Sequence, residues 1–110
     1  GMPRGPMPGG MGGGMMSQIK KLQEQMETAQ ASLEVETVTA TVGGGAVKVT
    51  MTGAQVCKGI EIDPDLLKDG DAEMLQDLIL SGVNMALDQS RKLAEERMGP
   101  LAGGLSGLGF

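Results

Sequence analysis

The sequence predicts an α+β fold in which two long helices flank a three-stranded antiparallel meander, in the order α-β-β-β-α. Two observations support this prediction. Over 35–62, β-branched and apolar residues alternate with polar ones, which is the period of strands with one buried face. Before and after this stretch, apolar residues recur at steps of three and four, which is the period of amphipathic helices.

The composition narrows the folded part of the 110-residue chain to a single domain. Residues 1–14 are almost entirely Gly, Met and Pro and predict a disordered leader. Residues 99–110 are rich in Gly and Leu and predict a flexible tail. The domain is therefore expected over 15–98. A core of this size is marginal unless a staple or a partner supports it.

The first helix is predicted over 15–34. Its apolar residues recur as in a coiled-coil seam, while the other positions are mostly polar. The seam consists of Met15, Ile19, Leu22, Met26, Ala29 and Leu33. A stripe this narrow requires only one neighbouring helix. The sequence leaves open whether that neighbour is the last helix of the same chain or a second copy of the chain.

Three strands are predicted, over 35–42, 46–52 and 56–62. The three glycines at 43–45 join the first two strands and predict a hairpin loop. A phosphate-binding loop is disfavoured, because that motif requires a helix after the glycines and here a strand follows.

The chain after the strands contains two helix starts. Asp63 precedes a proline and predicts an N-cap for a helical turn over 64–68. Asp71 predicts the N-cap of a helix over 72–98, which is expected to stop at the Gly-Pro pair that follows. Gly82 lies inside this helix at a cost of about 1 kcal/mol against Ala, so we expect a neighbouring element to approach its backbone closely.

The lengths of the elements predict an intertwined, two-fold symmetric homodimer with projecting helices. A helix over 72–98 spans about 40 Å, whereas strands of six or seven residues span about 20 Å, so both long helices overhang the sheet. The sheet also has two open edges. The residues predicted for the dimer interface are Ile19, Leu22, Met26, Val47, Val49, Met51, Leu75, Leu78, Ile79 and Gly82.

The residue types argue against catalysis and metal binding, so no catalytic residue, metal or cofactor is predicted. The chain has no His, and Cys57 lies in a predicted strand, where a packed side chain is expected. A calcium loop starting at Asp63 fails, because its sixth and twelfth positions are Lys68 and Met74. No apolar run is long enough to span a membrane.

The charge pattern alone gives little support to nucleic-acid binding. The net charge of −5 alone argues against binding to phosphates. Basic residues nevertheless lie on both long helices, and they are Lys20, Lys21, Arg91, Lys92 and Arg97. They suit phosphate contact from helix ends. The spacing alone favours a solvated, locally paired face instead, because acidic residues stand four positions away in the pairs Asp88–Lys92, Arg91–Glu95 and Lys92–Glu96.

The chain resembles the YbaB/EbfC family of bacterial nucleoid-associated proteins. The resemblance begins with Gly-Gly-Gly-Ala-Val-Lys-Val-Thr-Met-Thr-Gly over 43–53 and Ile-Glu-Ile-Asp-Pro-Asp-Leu-Leu over 60–67. It continues with Glu-Met-Leu-Gln-Asp-Leu-Ile over 73–79 and Asn-Met-Ala over 84–86. The ordered set and its spacing are specific, and the similarity covers nearly all of 15–110.

The resemblance implies a cytoplasmic, nonenzymatic homodimer with a tweezer-like outline. It also implies binding to duplex DNA with little sequence preference, and effects on nucleoid organisation and gene expression. Family contacts to DNA are attributed to the projecting helices, where the matching basic positions are Lys20, Lys21, Arg91, Lys92 and Arg97. A second hypothesis of a different class is a chaperone-like adaptor that holds protein partners through the seam and the Met-rich leader. Neither hypothesis includes a membrane or a small-molecule substrate.

Overall fold

The computed structural model describes the backbone of 6–68 and 71–107, and the side chains of 14–68 and 71–101. The elements in chain order are α1 (Pro6–Val35), β1 (Thr37–Val42), a 3-10 turn (Gly43–Gly45), β2 (Val47–Thr52), β3 (Cys57–Ile62), α2 (Pro64–Lys68) and α3 (Ala72–Gly107). The predicted α+β fold is confirmed, and each strand begins and ends within two residues of its predicted bounds.

The three strands form an antiparallel meander in the order β1-β2-β3. Thr37 lies opposite Thr52 at one end of the β1–β2 pair, and the 3-10 turn closes the other end. The β2–β3 pair contains a bulge, because consecutive β2 residues face Gly59 and Cys57. Lys58 is therefore the extra residue in β3. A bulge and a lysine are common protections of an edge strand against further pairing.

The predicted hairpin loop is confirmed, and its backbone explains the glycines. Gly43, Gly44 and Gly45 have φ angles of 63°, 67° and 99°, a left-handed region that glycine adopts without a steric penalty. Gly43 also lies against Leu78 of α3, where an added Cβ would be 3.1 Å from a Leu78 methyl. The loop thus fixes the distance between the hairpin end of the sheet and α3.

The core lies between one face of β1 and β2 and the first half of α3. Its fully or almost fully buried members are Ala40, Val47, Val49, Met51 and Ala86. The alternation in β2 produces this face, because every second side chain points to the same side of the sheet. The opposite face of the sheet carries Lys and Thr residues.

Gly82 provides the close approach that the sequence predicts. A Cβ at this position would lie 2.9 Å from Val49 Cγ2, and Val42 and Val47 are also within 4 Å. The α3 backbone therefore rests directly on the sheet. The two predicted N-caps are confirmed as well, since Asp63 Oδ1 accepts the Asp65 N–H at 2.9 Å and Asp71 Oδ1 accepts the Met74 N–H at 3.0 Å.

The turn between β2 and β3 is attached to the C-terminal end of α1. The N–H of Gly53 donates to the Glu36 carbonyl at 2.9 Å, and the N–H of Ala54 donates to the Leu33 carbonyl at 3.1 Å. Carbonyls at a helix end lack partners within the helix, so the turn supplies them. Glycine is required at position 53, because Leu33 Cδ2 lies only 2.5 Å from the position that a Cβ would occupy there.

Both long helices project from the same end of the sheet and pack against each other. Along α3, Gly82 contacts the hairpin end of the sheet, Ser90 contacts Thr52 at the opposite end, and Arg97 contacts Glu36 after α1. Beyond the sheet, α3 therefore runs antiparallel to α1. The predicted seam faces this helix of the same chain, and its members Leu22 and Leu33 are buried. Of the two neighbours that the sequence leaves open, the structure of the single chain shows the last helix of the same chain.

The predicted helix ends are wrong. α1 begins at Pro6 rather than near 15. Proline is tolerated in the first turn of a helix, because the N–H groups there have no partner within the helix. Once a helix has formed, each residue added to it contributes one further hydrogen bond. α3 continues through Pro100 to Gly107. The bond lost at Pro100 is to the carbonyl of Glu96, an exposed residue where water can replace it. The leader and tail predictions for 1–5 and 108–110 lie outside the described residues.

The residues predicted for the dimer interface are buried or half-buried within the single chain. Val47, Val49, Met51 and Gly82 form the interior of the same chain beneath α3, and Leu22 is buried along the seam. Leu78 and Ile79 pack against this core, and Leu75 is half-buried at the start of the same helix. Ile19 and Met26 are half-buried on the seam. The periodicity marks an apolar face correctly, but it does not reveal whether the same chain covers that face.

Candidate nucleic-acid interface

The two antiparallel helices form an arm that extends beyond the sheet. The protein measures 85 × 20 × 16 Å, so most of its length lies outside the small β domain. All five basic residues predicted for DNA contact lie on α1 or on the second half of α3. The arm is thus the element that positions them, and its direction is set by the contacts of α3 with the sheet and of α1 with the β2–β3 turn.

Lys20 and Lys21 are exposed on α1. They stand about 22 Å before the C-terminal end of the helix, from the rise of 1.5 Å per residue. Leu22 next to them is buried, which fixes the rotation of the helix and keeps both lysines at the surface. Their ammonium groups can contact phosphates as mobile point charges.

Arg91 and Lys92 are exposed on α3, directly after Ser90, which is hydrogen-bonded to the end of β2. The Arg91 guanidinium lies 3.4 Å from Asp88 Oδ1, and the two side chains are 58% and 70% exposed. Such an exposed pair stabilises by about 0–1 kcal/mol and is easily broken. Of the four-residue pairs predicted from the sequence, none forms an ion pair among these described side chains.

Arg97 lies opposite Glu36 and forms a two-pronged ion pair with it. Arg97 Nε donates to Glu36 Oε2 at 3.0 Å, and Nη2 donates to Oε1 at 2.7 Å. The Ser32 hydroxyl also donates to Oε2, at 3.2 Å. The guanidinium predicted to contact phosphate is therefore already bound to a carboxylate of the same chain.

The ion pair shifts the pKa of both of its side chains. Hydrogen bonds from Arg97 lower the pKa of the Glu36 carboxyl despite the opposing effect of partial burial, and the Ser32 hydroxyl and the charge of Arg97 add to the lowering. The hydrogen bond to Glu36, followed by its charge, raises the pKa of the Arg97 guanidinium. Both groups are thus held in their charged forms.

The five basic residues are spread along the axis of the arm rather than gathered in one cluster. Because Arg97 contacts Glu36, this pair gives a common reference point on the two helices. Distances along the arm axis can be measured from it with the helical rise per residue. On that basis Lys20 lies about 24 Å to one side of the pair and Arg91 about 9 Å to the other. The resulting span of about 33 Å is close to the length of one turn of duplex DNA.

Two further lysines lie on the sheet and are absent from the predicted contacts. Lys48 is exposed on the open face of β2, directly opposite Glu61 of β3, and Lys58 is exposed at the bulge. Alternation in β2 marks Lys48 as solvent-facing, so that signal is present in the sequence. The bulge at Lys58 has no comparable signal.

Other kinds of site have little support among the described residues. Cys57 is exposed rather than packed, a correction that follows from the lack of a helix over β3. Within 6–68 and 71–107, His, Cys, Asp and Glu side chains form no group of three that could hold a metal ion. In that same part of the chain, neither long helix has an apolar stretch sufficient to cross a bilayer.

The fold and the charged arm define a small α+β domain with basic side chains on long helices that project beyond the sheet.

A family model, the YbaB/EbfC DNA-binding family, matches residues 7–105. A nucleoid-associated protein of Ruminiclostridium cellulolyticum is 47% identical over 111 residues, covering 97% of this chain and 96% of the relative. One of Chloroflexus aurantiacus is 44% identical over 94 residues, covering 86% and 94%. The chain belongs to the YbaB/EbfC DNA-binding family, and the resemblance in its sequence is confirmed.

A solved structure supports the fold separately. Uncharacterized protein HP0035 from Helicobacter pylori matches with a TM-score of 0.58 at 24% identity. The match covers 79% of this chain and 96% of that one. At this level of identity the likeness concerns the fold alone.

Proposed function

We propose that this protein is a homodimeric, nonenzymatic nucleoid-associated protein that binds duplex DNA through phosphate contacts from its helical arm. Relatives that match over almost their full length are named nucleoid-associated proteins, and the family is described as DNA-binding. The single observation that carries the mode of binding is the exposure of Lys and Arg residues spread along the length of α1 and α3. Function in the nucleoid of the cytoplasm, with effects on its organisation and on gene expression, belongs to the same proposal.

Little sequence preference follows from the chemistry of the arm. Lysine ammonium groups and arginines spaced along a helix pair neutralise phosphates, which are alike at every base step. Direct readout instead needs several side chains on one element inserted into a groove. Arg91, Lys92 and the two lysines of α1 are spread over two elements. Contact through charge is therefore the mode that this spacing favours.

The experiment compares two double variants with equal loss of charge. Lys20→Gln/Lys21→Gln removes two cations from the arm, and Lys48→Gln/Lys58→Gln removes two from the sheet. We expect the arm variant to weaken binding to a fluorescent 30-base-pair duplex about tenfold more than the sheet variant at low salt, since each lost phosphate contact reduces counterion release. Equal losses, or a larger loss for the sheet variant, would contradict the assignment to the arm. A third variant, Arg91→Gln/Lys92→Gln, tests the α3 part of the arm in the same way.

The homodimer is supported by an apolar surface that this chain leaves uncovered. Ile60 lies opposite Val49 in the β2–β3 pair, so both side chains point to the same face of the sheet. Val49 is fully buried under α3, whereas Ile60 is 41% exposed. Other large apolar side chains exposed on β3, its preceding turn and the first half of α3 are Val56, Met74, Leu80 and Met85. Exposed large apolar side chains on the uncovered sheet face and the adjoining helix are typical of an interface.

A charge placed on this surface tests the dimer. Ile60→Glu puts a carboxylate on the uncovered face, and Thr41→Glu puts one on the opposite, polar face of β1, where Thr41 is exposed. We expect dimer mass by light scattering for the wild type and for Thr41→Glu, and monomer mass for Ile60→Glu. A monomeric wild type would refute the dimer. Dimer mass for Ile60→Glu would refute this placement of the interface.

The adaptor hypothesis retains one supporting observation. Met15 and Met16 are 53% and 65% exposed near the outer part of the arm, and methionine adapts to varied apolar partners. A stoichiometric protein partner, recovered equally with and without nuclease and lost in Met15→Ser/Met16→Ser, would favour this second function. Recovery that nuclease abolishes would favour DNA.

A further inference from the structure

The pair between Arg97 and Glu36 differs from the other ion pairs among the described side chains. Lys68–Asp65 and Arg91–Asp88 join residues three apart on one helix, whereas Arg97 and Glu36 are 61 residues apart and connect the arm helix α3 to the end of α1. It is also the least exposed, with side chains 42% and 33% exposed. Its two parallel N–H···O bonds match the geometry by which arginine binds a phosphate through two oxygens.

The carboxylate is the better anchored of the two partners. The main chain of Glu36 is fixed by the N–H of Gly53 at 2.9 Å, and its side chain accepts a hydrogen bond from the Ser32 hydroxyl at 3.2 Å. The Arg97 main chain lies within α3, but its guanidinium is at the end of a long flexible side chain, and the hydrogen bonds described for it are those to Glu36. When the pair opens, the guanidinium is therefore the group that moves, and Glu36 stays in place.

We infer that Glu36 is a built-in competitor of DNA phosphate for the Arg97 guanidinium. This inference rests on the proposed function, because it assumes that DNA approaches the arm. In free protein the carboxylate occupies two donors of Arg97 and cancels its charge. A phosphate must displace the carboxylate before Arg97 contributes to binding. Glu36 thereby lowers the affinity of the arm for DNA, and the carboxylate left behind repels the phosphate that replaced it.

The test compares two variants that change net charge equally. Glu36→Gln removes the competitor, and Glu34→Gln removes an exposed carboxylate two residues earlier on α1 that takes part in none of the described ion pairs. We expect Glu36→Gln to raise affinity for a 30-base-pair duplex by up to about fivefold, the upper range for an exposed ion pair. The dependence of log Kd on log salt should steepen by about 0.9, the release of one further counterion. Glu34→Gln should give a smaller gain and an unchanged slope.

Arg97→Gln, alone and combined with Glu36→Gln, completes a double-mutant cycle. The cycle separates competition between Glu36 and phosphate from a structural role of the pair. It should weaken binding little in the wild type, where Glu36 neutralises Arg97, and it should abolish the gain in the Glu36→Gln background. Equal gains for Glu36→Gln and Glu34→Gln would overturn the inference, because bulk charge would explain both. A loss of affinity in Glu36→Gln, with an unchanged circular dichroism spectrum, would overturn it in favour of a clip that aligns the arm. Absence of DNA binding by every protein, the wild type included, would instead refute the proposed function.

Discussion

The hydroxyl of Ser90 in α3 donates a hydrogen bond to the backbone carbonyl of Thr52 at the end of β2, at 2.7 Å. Both residues are almost completely buried, at 0% and 2% exposure. The Thr52 side chain in turn accepts the N–H groups of Ala54 and Val56, each at 3.2 Å. One buried threonine thus connects α3, the end of β2 and the turn that attaches α1, which is where the arm leaves the sheet.

Replacing Ser90 tests this connection. Ser90→Ala should lower the free energy of unfolding by about 1 kcal/mol, the usual contribution of a hydrogen bond. The loss stays moderate because the Thr52 carbonyl also accepts the Gln55 N–H at 3.0 Å. Urea denaturation measures it. Ser81→Ala, an exposed position on the same helix, is the matched control and should be neutral or slightly stabilising. Equal effects of the two substitutions would show that the bond contributes nothing.

Glycines of the two long helices should respond differently to alanine. An added Cβ at Gly82 of α3 lies 2.9 Å from Val49 Cγ2 inside the core, whereas at Gly14 of α1 nothing lies within 4 Å. Overpacking costs about 1–3 kcal/mol, and alanine in a helix gains about 1 kcal/mol over glycine. We therefore expect Gly14→Ala to raise the melting temperature and Gly82→Ala to leave it unchanged or lower it. A stabilising Gly82→Ala would contradict the close approach of α3 to the sheet.

The Glu36–Arg97 pair should give the stability a specific dependence on pH. The pair lowers the pKa of Glu36 in the folded protein, so the folded state binds a proton there less readily than the unfolded state does. Its contribution is therefore complete above the ordinary glutamate pKa of about 4.3 and is lost as the pH falls through the lowered value. The difference in unfolding free energy between wild type and Glu36→Gln should be largest at neutral pH and shrink in acid. A difference that stays constant from neutral pH into acid would show that the pair is not coupled to folding.

The strands were predictable because their information is local. Alternation from Val47 to Thr52 and the glycines before it define a hairpin without any knowledge of the rest of the chain. The caps at Asp63 and Asp71 are equally local. Gly82 was informative because a glycine inside a helix has a free-energy cost that some contact offsets.

The remaining features depend on which elements contact each other in the fold, and the spacing of residues in the sequence does not determine these contacts. Alternation in β3 predicts a buried face, yet α3 packs mainly against β1 and β2, so Ile60 and Cys57 are exposed. The helix passes Pro100 although proline is a reliable local stop signal elsewhere. Arg97 finds its partner 61 residues away, beyond any comparison of neighbours on one helix. The helices that carry the candidate basic residues were therefore predictable, whereas the ion pair that Arg97 forms was not.

The salt dependence of DNA binding by the unmodified protein tests the central claim most directly. Two fluorescent duplexes of unrelated sequence are titrated between about 50 and 200 mM salt, the range in which counterion release is readily measured. Four phosphate contacts from Lys20, Lys21, Arg91 and Lys92 predict a slope of log affinity against log salt of about −3.6, or steeper if a dimer uses both arms. The two duplexes should bind alike. No binding at the lowest salt, or binding with a slope near zero, would contradict a protein that holds DNA by its phosphates.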